Sequence, residues 1–453
     1  MIFNNLLFIF CFLPFSLLLY YIVPKTILKN LVLLIVSLIF YSWANPVTLV
    51  VLFISIAWNY LTGLELSYLE QERQRKLIFW ISVAFNLLIL GVYKYLELFF
   101  HIETTLIVPM GLSFFTFSSI SYIADVYMGK VEPQKNIISY SLYVAFFGKI
   151  SMGPIVQYHA MEKELSDRLF CAEDLSKGSV LFIKGLIKKV LLADQFSFVF
   201  TSLQSNNTVV GSWLLALAYA LQLYFDFSGY SDMAIGISNM FGFHFDANFD
   251  HPYIATSIQD FWRRWHISLS RWFRDYIYIP LGGNRVDTIH YVRNILIVWL
   301  CTGIWHGANW TFIVWGLYYA AFLLMEKFFL RDFLEKLPSF VRHIYSILVI
   351  LFGWVFFFSP SISDAFMHFG HMFGVNASWI NEECLFLLIS HLGLFILGII
   401  LSTPIYDRLQ IVLYNTLKNK SIYITTTVYI VFFIVCIAFI VGSSYQSFLY
   451  FAF

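Results

Sequence analysis

Long uninterrupted apolar runs, separated by short segments in which nearly all the charge collects, constrain this chain more than any other feature. About 20 mostly apolar residues suffice to cross a bilayer as a helix. Runs of that kind fall near 6–23, 29–43, 47–68, 77–99, 106–127, 138–158, 178–200, 213–240, 290–307, 308–330, 343–360, 385–404 and 421–442. Only 12% of the 453 residues are charged, about half the share of a soluble domain, too little to cover a water-facing surface. The 50 Phe, 28 Tyr and 13 Trp suit a protein that meets bilayer interfaces with amphipathic rings. The sequence predicts an all-α polytopic membrane protein of ten to thirteen helices, not all of them full crossings, forming one membrane-embedded domain over 1–453. A balance of 28 Lys+Arg against 27 Asp+Glu gives no reason to expect a nucleic-acid partner.

Lys and Arg gather at 25/29, 73–76, 130/135, 163–189, 263–293, 327–342 and 408–420, whereas 201–212 and 361–383 hold none. Basic loops favour the cytoplasm, which puts both chain ends outside and requires 138–158 to dip into the membrane and return. Gly148, Gly153 and Pro154 make that break feasible. The first apolar run has no basic flank or small-residue cleavage site and reads as a span. Cys11, Cys171, Cys301, Cys384 and Cys436 show no CxxC spacing and read as small buried hydrophobes, neither disulfides nor metal ligands.

Three segments depart from a passive bundle. YFDFSGYSDMAIGISNMFGF (224–243) carries Asp226 and Asp232 in an apolar run. A carboxylate in a span costs about 2.5–3.5 kcal/mol on insertion scales, so both call for a watery cavity or for ion pairs with a nearby Arg. DFWRRWHISLSRWFRDYIYIPLGGNR (260–285), taken as one helix, aligns Trp262, Trp265, Leu269 and Trp272 on one stripe and Arg263, Ser270 and Arg274 on another. His266 falls one turn before Ser270, and Pro280 with Gly282-Gly283-Asn284 forces a turn. An amphipathic helix at the cytoplasmic interface accounts for the stripe. The four arginines 263, 264, 271 and 274 suggest an anionic, phosphate-bearing ligand. In GIWHGANWTFIVWGLYYA (303–320), His306 sits between Gly303 and Gly307 and beside Trp305, with Trp310 and Asn309 following. A buried histidine there is either a hydrogen-bonded core residue or a base titrating near neutrality. His368 and His371 have spacing compatible with a metal but no third ligand in sequence, and read as an exposed loop pair.

These stretches closely resemble the membrane-bound O-acyltransferase family. QLYFDFSGYSDMAIG (222–236), FWRRWHISLSRWFRDYIYIPLGGNR (261–285) and GIWHGANWTFIVWGLYY (303–319) carry the likeness. VPMGLSFFTFSSISYIADVYMGKVEP (108–133), GPIVQYHAMEKEL (153–165) and SSYQSFLYFAF (443–453) extend it toward the bacterial alginate and peptidoglycan O-acetyltransferase branch. The signature core spans about 108–320, with C-terminal helices and tail over 343–453; residues 1–100 match in hydropathy alone.

The resemblance implies a ring of tilted and re-entrant helices around a central tunnel. It implies acetyl-CoA as a cytoplasmic donor, no bound cofactor or metal, and transfer outward to a polysaccharide through a periplasmic or extracellular acetyltransferase partner. It also implies the bacterial cytoplasmic membrane as the setting. His306 maps to the family's invariant histidine and His266 to its second polar position, which makes them the catalytic candidates: a base, and a group that steadies the oxyanion or orients the donor. Arg263, Arg264, Ser270, Arg274, Trp305, Asn309 and Asp232 are candidates for binding the donor or lining the tunnel. Tyr445 and Tyr450 are candidates for the acetyl exit. D-alanyl transfer to teichoic acid, a transporter with Asp226, Asp232 and the arginines as its ion path, and a docking scaffold are the alternatives.

Overall fold

A computed structural model describes residues 1–43, 45–96, 106–169 and 171–442, and among them every regular element is a helix. Among the described residues, seven helical segments are long and apolar enough to cross a membrane: Pro46–Tyr68, Glu72–Lys94, Val209–Met240, Trp310–Lys336, Ser339–Phe358, Glu382–Leu401 and Lys420–Gly442. Phe8–Ile22 and Thr26–Ser42 are shorter apolar helices. The protein is therefore a multi-pass membrane protein. Its exposed large side chains include Phe15, Leu88, Phe386, Leu392 and Ile434 on these helices, the pattern of a surface whose solvent is lipid.

The chain forms two compact units, Met1–Phe182 with Tyr230–Ala247, and Ile183–Gly229 with the chain from Asn248 onward. In the first unit, Leu112–Tyr127 packs against Leu49–Tyr68 and Glu72–Lys94, and Thr26–Ser42 packs against Ile137–Ala145. The segment expected to dip and return is broken at Phe146 (ψ 119°), between Ile137–Ala145 and Phe147–Ile150. Nine residues make a helix of about 13 Å, under half the hydrocarbon thickness. The break is buried, and the amide of Phe147 donates to Ser37 Oγ at 3.1 Å, so a released backbone group finds a side-chain partner.

In the second unit, Thr288–His306 and Trp310–Met325 form a tight hairpin, and Ser339–Phe358 packs on Trp310–Met325. A Cβ at Gly303 would stand 2.5 Å from the carbonyl oxygen of Phe312, and one at Gly316 would stand 2.4 Å from that of Trp299. Only glycine permits this approach.

Asp226 is paired, with a lysine in place of the expected arginine. Lys189 Nζ lies 2.7 Å from Asp226 Oδ1 and 2.8 Å from Asp194 Oδ1, with the lysine and Asp226 nearly inaccessible. Lys189 stands on a π-helical segment, Lys188–Ala193, and no arginine was needed because one buried ammonium bridges both carboxylates. The cysteines are free, but burial fits only part of the expectation: Cys384 and Cys436 are buried, Cys301 is partly so, and Cys11 and Cys171 are exposed. On the shortest apolar helix an outward thiol meets lipid, which suits a small apolar group equally well.

Removing the bridge should be costly. Lys189→Met leaves two carboxylates facing each other without their cation and should lower stability by roughly 3–5 kcal/mol, read as a fall in the thermal melting of detergent-purified protein. Asp226→Asn with Lys189→Met should recover much of that loss; a single mutant that melts like wild type would show the bridge to be dispensable.

Candidate active site

A cavity of about 800 Å³ lies within the second unit, in the size range of small-molecule sites. Tyr291, Ile295, Val298, Trp299, Thr302 and His306 line it, and their spacing is that of one face of the Thr288–His306 helix. The facing walls come from residues 256–284 and from the Leu323–Arg342 region. From Tyr291 to His306 is 15 residues, about 22 Å of helix.

The two ends of that face differ in chemistry. Beside Tyr291, Lys327 Nζ sits 3.2 Å over the phenol ring, and Arg331 and Arg342 also line the cavity. At the other end His306 is 5% exposed and packed among rings: Trp315 at 4.8 Å, Trp305 at 4.9 Å, Phe357 at 5.1 Å and Phe312 at 6.3 Å between centroids. Of the lining side chains, Arg263, Arg274, Lys327, Arg331 and Arg342 are cationic and only Glu326 and Glu335 are carboxylates. The excess of positive charge favours an anionic ligand. Glu326 is occupied with the fold, since its carboxylate accepts from the amides of Ile258 (2.6 Å) and Gln259 (3.1 Å).

The 260–285 segment is not one helix. Ile258–Arg264 starts on Ser257, whose Oγ accepts from the Asp260 amide at 3.0 Å, and a second helix, Ile267–Phe273, begins after His266. His266 takes left-handed backbone angles, φ 44° and ψ 54°, a strain of order 1–3 kcal/mol for a side chain of this kind. Backbone bonds hold the turn from both sides, Asp250 N–H to Arg264 O and Ile267 N–H to Asn248 O, each at 3.0 Å. The single aromatic stripe is thus bent: Trp265, Leu269 and Trp272 are buried, while Trp262 and Trp265 both line the cavity.

The bend turns His266 inward. It is buried and lines the same cavity as His306, with the Trp305 ring 6.0 Å from His266 and 4.9 Å from His306. Burial pushes its pKa down to about 3, so the ring is neutral over the physiological range.

The other expected residues divide. Arg263, Ser270 and Arg274 line the cavity with the two histidines, Arg274 while paired with Asp275 at 2.7 Å. Arg264 does not; it pairs with Asp260 (2.9 Å) and Asp250 (3.1 Å), bracing the turn around His266. Asn309 caps the Trp310–Met325 helix, accepting from Thr311 N at 3.1 Å and donating to Pro360 O at 2.8 Å. Asp232 belongs to the first unit and is not among these lining residues. Tyr445 and Tyr450 lie outside the described residues.

His368 and His371 correct the sequence reading: they lie on the Ile362–Met372 helix, with His371 buried and His368 Nε2 3.2 Å from Ser212 O. The apolar residues between them signal an amphipathic helix, not a loop. Burial pushes His368 down to about 4, and among the described residues no cluster of three His, Cys, Asp or Glu side chains could hold a metal. Sequence reasoning missed Asn248, which fixes the His266 turn from 18 residues away, and Glu326, which holds Ile258 and Gln259 at the start of the preceding helix from 68 and 67 residues away.

A multi-pass helical protein with two buried histidines on one cation-rimmed cavity has the outline of a membrane-embedded acyltransferase, and the comparisons bear this out. Residues 35–367 match the membrane-bound O-acyltransferase family model. The chain belongs to that family. It is 39% identical to the probable alginate O-acetylase AlgI of Azotobacter vinelandii, over 82% of this chain and 78% of that protein. It is 33% identical to the peptidoglycan O-acetyltransferase of Helicobacter pylori, over 100% of this chain and 98% of that protein. The teichoic acid D-alanyltransferase of Bacillus subtilis is 30% identical over 51% of this chain and 61% of its own length.

The split among the arginines is testable by kinetics. Arg263→Gln and Arg274→Gln should each raise the KM for a phosphate-bearing acyl donor several-fold with a smaller change in kcat, the signature of lost ground-state binding. Arg264→Gln should leave that KM near wild type and lower the melting temperature. A KM unchanged in both lining mutants would reduce those arginines to interfacial anchors.

Proposed function

We propose that this protein is a membrane O-acetyltransferase that takes an acetyl group from acetyl-CoA for O-acetylation of a cell-wall or secreted polysaccharide. The observation that carries the reading is the graded cavity, cationic beside Tyr291 and ending on His306 about 22 Å along one helix face. Coenzyme A has the matching layout, with phosphates at one end of a long arm and the thioester at the other. The donor's phosphates meet Arg274, Lys327, Arg331 and Arg342, and the arm lies along Ile295, Val298 and Trp299.

In the proposed reaction His306 takes the proton of an acceptor hydroxyl as its oxygen attacks the thioester carbonyl carbon. The tetrahedral intermediate collapses, the C–S bond breaks, and the imidazolium returns the proton to the leaving thiolate. The rings around His306 exclude water, which would otherwise hydrolyse the thioester. The D-alanyl relative shares only half of the chain, against 82% and 100% for the two O-acetyl relatives, which favours acetyl. A protein embedded in the bacterial cytoplasmic membrane must hand the group to its polymer beyond the bilayer, so a periplasmic or extracellular acetyltransferase is the fitting partner.

Purified protein in liposomes should consume labelled acetyl-CoA when a hydroxyl acceptor is supplied. His306→Ala should lower that turnover at least ~10²-fold, the lower range for loss of a general base, at normal membrane levels. Wild-type rates in the mutant would remove His306 from the mechanism, and failure of the wild type to use acetyl-CoA would overturn the donor assignment.

A further inference from the structure

Asn248 has no role in the reading above, yet it touches the His266 turn at three points. Its main-chain oxygen accepts from Ile267 N–H at 3.0 Å. Its side-chain oxygen Oδ1 accepts from Ser268 N–H at 3.0 Å and faces His266 Nδ1 at 3.2 Å. The backbone amide fixes which end of the Asn248 amide is which. Ser268 N–H can only donate, so the atom opposite it is the oxygen. An oxygen opposite Nδ1 requires that Nδ1 carry the hydrogen. In a neutral imidazole the other nitrogen, Nε2, then holds the lone pair. Phe227 packs edge-on against the ring at 4.7 Å and Phe249 lies nearly parallel at 6.5 Å, so the plane of the imidazole is fixed as well.

The arrangement has two costs. Asn248 is buried and its Nδ2 has no acceptor among the described residues, and His266 keeps a strained backbone. Both are tolerated at a point where an apolar pair would pack without either.

We infer that Asn248 is a positioning residue that locks His266 as the Nδ1–H tautomer, so that the imidazole meets bound substrate as a hydrogen-bond acceptor through Nε2. A neutral ring held this way cannot donate to the oxyanion, which the sequence had allowed as one of its roles. It accepts instead from a substrate N–H or O–H: an amide of the donor's arm, or the attacking hydroxyl. This rests on the acyl-transfer reading for the identity of the substrate, while the tautomer itself does not.

The test is ¹⁵N NMR of histidine-labelled protein, with His266 assigned by difference against His266→Gln, together with acetyl-CoA kinetics. Wild type and Asn248→Asp, which keeps an acceptor oxygen, should both show a protonated Nδ1 and a bare Nε2. Asn248→Ala should show mixed tautomers and lose turnover at least ~10-fold, as when the orienting partner of a catalytic histidine is removed. Loss in kcat assigns the hydroxyl as the group His266 accepts from; loss in donor KM assigns the donor's amide. A protonated Nε2 in wild type, or an unchanged tautomer in Asn248→Ala, overturns the inference. A wild type that shows the tautomer but does not turn over acetyl-CoA overturns the donor assignment and leaves Asn248 in its place.

Discussion

In hydrocarbon no water waits to satisfy a backbone N–H or C=O, so a chain may leave the helix only where the protein itself supplies the missing partner. The departures that matter here follow that constraint. At Phe146 the helix stops inside the protein, and Ser37 accepts the next amide. At His266 it stops again, and Asn248 and Asp250 take part in the bonds that hold the turn. Lys189 and its two carboxylates obey the same rule for charge: each ion is taken from water only because the other is there. The paired lysine stabilises the interior, whereas the break at His266 puts an imidazole on the wall of a cavity.

That constraint decides what sequence can reveal. Hydropathy locates the crossings because lipid demands long apolar runs, and the helices from Pro46, Glu72, Val209, Ser339, Glu382 and Lys420 follow the expected runs closely. Gly148, Gly153 and Pro154 announce a break, although the helix turns at Phe146, just before them. Nothing local announces His266. A left-handed residue is legible when it is glycine, but here tertiary bonds impose it on a histidine, so 260–285 reads as one helix and is two. The lining positions Arg263, Ser270 and Arg274 survive this error, because one turn of bend leaves them facing the same space. Arg264 shows the reverse limit: its charge was visible, but not the neighbouring Asp250 and Asp260 that consume it. Asn248 was invisible as a site residue, since its partner lies 18 residues away.

The two histidines share a cavity and a tryptophan, and their backbones place them in opposite fields. His266 precedes a helix, Ile267–Phe273, and lies at the end where the aligned peptide dipoles are positive. Burial adds to that, and both disfavour an imidazolium. His306 closes the Thr288–His306 helix, at the end where the last carbonyls point outward and positive charge is welcome. The base role proposed for His306 agrees with its place at a helix C-terminal end, and the neutral ring proposed for His266 with its place at a helix start. The rings packed around His306 serve the proposed reaction too, by keeping water from a thioester held beside it.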